Sequence, residues 1–164
     1  MLELLLGKKP IQWKETFKLR VFGLLKVPMI LFTRPVVQEV NDQRAIVRIP
    51  LCRRTKNHYG SLYFGALAVG ADACGGILAM YHMDKAGVQL GLLFKDFHAE
   101  FLKRAMGDVS FVCEAGDEVK ACIAKAIETG ERHNVALPIE ARVDGENGPV
   151  AKFTLTLSVK KRKR

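Results

Sequence analysis

Asn57-His58-Tyr59-Gly60-Ser61 leads into Leu62-Tyr63-Phe64-Gly65-Ala66-Leu67-Ala68-Val69-Gly70-Ala71-Asp72-Ala73-Cys74-Gly75-Gly76-Ile77-Leu78-Ala79-Met80-Tyr81-His82-Met83, and residues 62–83 hold one charged side chain, Asp72. Length alone would let such a helix cross a bilayer. Its glycines and central carboxylate point instead to a helix covered nearly all round by protein. Ser61 is the expected N-cap, and the first-turn amides, including those of Tyr63 and Phe64, lie at the positive end of the helix, where an oxyanion can be held. Gly65, Ala68, Asp72, Gly75, Gly76 and Ala79 share one side at spacings of three and four, while Leu67, Ala71, Cys74, Leu78 and Tyr81 share another. The helix is therefore amphipathic in size rather than polarity. Its small face suits a close-packed neighbouring helix or a slot for a thin ligand. Asp72 has two readings: a general base whose pKa is raised by apolar surroundings, or a carboxylate satisfied by a backbone amide or an arginine.

Outward from this helix the chain reads as strands. Residues 33–40 and 43–51 form a hairpin through Asn41-Asp42, with Ala45, Val47, Ile49 and Leu51 on one face. Strands are expected over 88–104 and 108–114, then a short helix over 117–129 stopped by Gly130. Val135, Leu137, Ile139, Ala141 and Val143 alternate inward, as do Phe153, Leu155, Leu157 and Val159, with a loop at Asp144-Gly145-Glu146-Asn147-Gly148 between them. The expected fold class is α+β: an antiparallel sheet, solvated on one face and covered on the other by the long helix.

At 164 residues, 49% hydrophobic and 26% charged, the chain fits one domain and is not a disordered basic protein. Of its net +9, five charges sit in the last five residues, all Lys or Arg. No aromatic platform or reading helix accompanies them, so specific nucleic-acid binding is not expected; nonspecific affinity for anions is the alternative. Cys52, Cys74, Cys113 and Cys122 show no C-x-x-C spacing and read as free thiols of a cytoplasmic protein. The apolar run at residues 4–6 is too short for a signal peptide and lacks a positive flank. From Trp13, the apolar residues Trp13, Phe17, Val21, Leu24 and Leu25 form one helical stripe ending at Pro28. That stripe is expected against the core, with a membrane-surface helix as the alternative.

The run from Asn57 to Gly65, followed by Asp72, resembles the signature of PaaI-like hotdog-fold thioesterases: an Asn, a Gly-Ser/Thr step, a His-Gly-Gly opening the central helix, and an Asp seven residues after the last Gly. The spacings from Asn57 to Gly60, Gly65 and Asp72 match. Phe101-Leu102-Lys103-Arg104-Ala105 and Gly107-Asp108-Val109 resemble the family's strand-turn-strand segment. The extra N-terminal helix together with the Asn57 to Ser61 run resembles a little-characterised branch described as a domain of unknown function. The resemblance implies an N-terminal helical extension over 1–32, a hotdog domain over 33–160 and a basic tail over 161–164. It implies hydrolysis of an acyl thioester, on coenzyme A or an acyl carrier protein, with no cofactor.

By position, Asp72 is the implied base or nucleophile, Asn57 holds the thioester carbonyl or the water, and the Phe64 amide is the oxyanion donor. Tyr63 and Gly65 flank the substrate, and Arg53, Arg54, Lys103 and Arg104 face the phosphates of a coenzyme A arm or are simply solvated. Tyr63 stands where the family has His, Phe64 where it has Gly, and Phe94 where related enzymes place a Ser or Thr. These departures favour the competing reading, a noncatalytic acyl-thioester binder. Asp96, His98 and Glu100 alternate along one strand but diverge, so no metal is expected. Phe64 and Asp72 are eight residues apart, roughly 12 Å along a helix at 1.5 Å per residue, too far to serve one carbonyl. A homodimer with antiparallel helices is therefore expected, with a tetramer left open.

Overall fold

The computed structural model describes residues 10–161. Six antiparallel strands form one sheet in the order β1-β2-β4-β5-β6-β3, where β1 is Val36–Val40, β2 Ala45–Ile49, β3 Leu90–Phe101, β4 Val109–Cys113, β5 His133–Val143 and β6 Ala151–Lys161. The long helix α3, Phe64–Lys85, lies against β2, β4 and β5. This is the hotdog arrangement, a sheet wrapped around a central helix. α3 is long and apolar enough to cross a membrane, but it is packed into protein by Leu67, Ala71, Cys74, Ile77 and Leu78. At Gly70 it approaches β4 so closely that a Cβ would strike the Phe111 ring.

The alternation in β5 and β6 is realised: Leu137, Ile139, Ala141, Phe153, Leu155, Leu157 and Val159 are buried together under α3 and α4, Gly116–Thr129. α4 ends at Gly130 in the left-handed conformation, φ 70°, where a side chain would be strained. β6 continues through Lys160 and Lys161, which pair with Gly91 and Leu90, so the sheet takes two of the five basic residues assigned to the C-terminal end. The run at residues 4–6 and the last three basic residues, 162–164, lie outside the described residues.

Two local expectations are corrected. The cap of α3 is Tyr63, in extended backbone and without a side-chain cap bond; the Ser61 hydroxyl is held by Asn57. In α1, Trp13–Leu25, the stripe assigned to the core faces outward: Trp13 is 65% exposed, Phe17 70% and Leu24 62%. The inward face is Thr16, Leu19 and Gly23 instead. Polar bonds to the sheet edge set this orientation. The Val37 amide donates to Thr16 Oγ1 (2.9 Å), the Val40 amide to Gln12 Oε1 (3.1 Å), and the Gln12 amide to the Val37 carbonyl (2.9 Å). α1 thereby covers β1, an edge strand whose unpaired backbone groups need partners. Pro28 ends α1 and opens a second short helix, α2, Pro28–Phe32, where its missing amide costs nothing.

Candidate functional site

A cavity of about 650 Å³ lies between α1 and α2 on one side and α3 and the start of β3 on the other. Leu19, Phe22, Val27 and Ile30 roof it, and Ile77, Met80, Leu90, Leu92 and Phe94 complete apolar walls. Its charged or amide side chains are Asp72, Lys26 and Gln89. Such a volume and lining suit a largely apolar ligand oriented by a few polar groups. Asp72 sits partly buried in it with no hydrogen bond or ion pair from the described residues, and burial alone pushes its carboxyl above the ordinary carboxylate range. Of its two sequence readings, the satisfied structural carboxylate is thus not the one seen in the single chain. Gly76, one turn on, adds room: a Cβ there would meet nothing within 4 Å.

The remaining site residues gather elsewhere, at the N-terminus of α3. Asn57 is the organiser of the loop before it. Its Oδ1 accepts the amides of Tyr59 (3.0 Å) and Ser61 (3.2 Å), and its Nδ2 donates to Ser61 Oγ (2.9 Å). The Leu62 amide donates to Ala105 and that of Tyr63 to Thr55, which fixes the entry to the helix against the turn after β3. The amides of Phe64 and Gly65 have no acceptor among the described residues, as the first turn of a helix dictates. The Phe64 ring is exposed, 4.7 Å from the Tyr63 ring and 6.2 Å from that of Phe101. Tyr63 folds back so that a Cβ at Gly65 would strike its ring.

The four cations are exposed around this end and the adjoining α2. The Arg54 guanidinium lies 5.7 Å from the Phe32 ring centroid and that of Arg104 5.1 Å from Tyr59, while Lys103 Nζ donates to the Asn147 carbonyl. Arg53 carries no contact of this kind among the described residues. On the strand, Asp96 leaves the ladder at a bulge and accepts the Thr156 amide, and His98 lies 3.6 Å from Glu100.

Within one chain these residues therefore fall into two separate groups. Asp72 and Phe94 share the cavity at the Leu90 end of β3, whereas Asn57, Tyr63, Phe64 and Gly65 do not line it and sit by Phe101 at the other end. The roof residues were missed in sequence, although Leu19, Phe22 and Lys26 recur at spacings of three and four, a second stripe on the same helix.

The sequence profile of a domain of unknown function, DUF4442, matches residues 16–159. No curated protein matches the chain significantly in sequence. Among solved structures, a Shewanella oneidensis protein provisionally named a thioesterase superposes with a TM-score of 0.77 at 16% identity, covering 92% of this chain and 100% of its own. A protein of unknown function from Chlorobaculum tepidum gives 0.78 at 14% identity over 93% and 98%. A mutant thioesterase from Pseudomonas aeruginosa gives 0.62 at 19% identity over 88% and 93%. At these identities the likeness is one of fold.

Proposed function

This chain belongs to the DUF4442 family, and we propose that it is an acyl-thioester hydrolase whose site is completed by a second copy of the chain. The single observation that carries the reading is the unpartnered Asp72 carboxylate facing an apolar cavity large enough for an acyl group. In the proposed reaction Asp72 takes a proton from a water as the water oxygen bonds to the thioester carbonyl carbon. The carbonyl oxygen gains negative charge beside the first-turn amide of Phe64, the C–S bond then breaks, and the leaving thiolate takes up the proton. Direct attack by the carboxylate, followed by hydrolysis of the anhydride, gives the same products.

Two features support the second copy. β3 is one of the two edge strands, and it exposes Leu93, Phe97 and Phe101, the last beside Phe64. A long apolar edge of this kind is a template for pairing. Antiparallel pairing of two such edges about a twofold axis sets the Phe101 end of one strand against the Leu90 end of the other. Asp72 of one copy then meets the Phe64 amide of its mate, and two equivalent sites result. Arg53, Arg54, Lys103 and Arg104 around the α3 N-terminus suit the phosphates of a coenzyme A arm, and the four unbridged cysteines suit a cytoplasmic setting.

One observation favours a noncatalytic acyl-thioester binder on the same fold: the Asn57 carbonyl oxygen already accepts two loop amides. The experiment is thiol release from a panel of acyl-CoAs of different chain length by wild type and Asp72→Asn. Release by wild type, slowed by a factor on the order of 10² or more in the variant, is expected for loss of a positioned base. Equal rates in the two would sink the assignment. Binding without release in both would favour the noncatalytic reading.

A further inference from the structure

The outward face of the two N-terminal helices has no role in the site described above. Trp13, Phe17, Val21 and Leu24 stand at i, i+4, i+8 and i+11, within an arc of roughly 80° at about 100° per residue. Leu25, Met29 and Phe32 extend this surface, and all but the half-buried Val21 are exposed. An apolar surface this continuous on one helix pair marks an interaction site.

Its border is cationic. Lys14 and Arg34 are exposed along it, and Arg54 reaches its edge over the ring of Phe32. From Trp13 to Arg34 the only acid is Glu15, which is held by Lys18 (3.4 Å). Lys161 pairs in the ladder with Leu90, a residue of the cavity roofed by the same helices, and adds a further charge. A second copy of this face would set these cations against one another. A surface of phosphates with hydrocarbon beneath it satisfies both halves of the pattern.

We infer that the α1 and α2 face docks on an anionic phospholipid bilayer, with Trp13, Phe17, Leu24 and Met29 in the acyl region and Lys14, Arg34 and Arg54 among the headgroups. The helices that meet the lipid are those that roof the cavity. If the cavity takes an acyl chain, a point that rests on the function proposed above, docking brings it beside a store of such chains. The docking itself is read by binding and not by turnover, so its failure would leave thioester hydrolysis standing.

Trp13 is the one tryptophan in the chain and reports on this face directly. The full chain is mixed with phosphatidylcholine vesicles with or without phosphatidylglycerol, and its fluorescence and co-sedimentation are followed. A blue shift and sedimentation with the anionic vesicles, weakened by added salt, are expected. The double variant Phe17→Ser/Leu24→Ser should bind about tenfold or more weakly. Its melting temperature should be unchanged, since both side chains are exposed. Three results would overturn the inference: no shift with either vesicle, equal binding to both, or a shift that grows with protein concentration in the absence of lipid.

Discussion

Replacing Asp72 by Asn should make the protein more stable at neutral pH, although it removes the group on which the proposed chemistry depends. The carboxylate is partly buried and receives no hydrogen bond or cation from the described residues, so its ionised form is disfavoured in the fold. An amide of the same shape stays neutral and escapes the cost of ionisation, which for a partly buried carboxyl is on the order of 1 kcal/mol. For a domain of this size each kcal/mol moves the melting temperature by about 2–4 °C. The sign with pH follows from the direction of the shift. A carboxyl whose folded pKa is raised favours the fold while it is protonated, below its ordinary value of 3.8, and loses that contribution as pH rises through the raised folded value. The advantage of Asn over Asp should therefore be full at pH 7 and vanish in acid. Thermal melts of both proteins from pH 3.5 to pH 8 check this. A variant less stable than wild type at pH 7, or a difference independent of pH, would show that Asp72 has a partner and is a structural carboxylate.

Gly76→Leu places a side chain in the cavity beside Asp72, where nothing stands within 4 Å of the new Cβ. It should leave the melting temperature unchanged or higher, since glycine is a poor helix former, while weakening binding of a fluorescent acyl-CoA about tenfold or more. Gly70→Val drives a branched side chain into the buried Phe111 ring and should cost about 1–3 kcal/mol in urea unfolding. Asp108→Ala removes the acceptor of Arg48 Nη2 (2.7 Å) and of the Leu51 amide (2.8 Å) beside an Arg48 Nε that has no partner among the described residues. A loss of about 1–3 kcal/mol by the same measurement is expected.

What could be read from the sequence was what a single periodicity determines. β5 and β6 alternate at period two with one face buried, and the size pattern of α3 separates its buried side, Leu67, Ala71, Cys74 and Leu78, from the small side that carries Asp72, which is half open rather than covered as expected. Periodicity says that Trp13, Phe17 and Leu24 share a face, but not that the face meets the core. The bonds from the β1 edge to Gln12 and Thr16 decide that, and they join residues 21 to 28 positions apart that hydropathy does not register. The cap of α3 failed for a related reason. Ser61 and Asn57 are both able to hold nearby amides, and in the loop Asn57 takes the Ser61 amide and hydroxyl together. The separation of Asp72 from the Phe64 amide was legible because helical rise is invariant. Which strand end each belongs to was not, because that depends on the pairing of β3 with β6 at the sheet edge.

The claim that one site draws on two chains is tested most directly by subunit complementation. Asn57→Ala and Asp72→Asn chains, each inactive in its own dimer, are mixed under conditions of confirmed subunit exchange, and thiol release from an acyl-CoA turned over by wild type is measured. A heterodimer should recover one working site of two, with Asp72 supplied by the first chain and an intact α3 entry by the second. Full activity in a monomer, or no recovery despite exchange, would contradict the shared site.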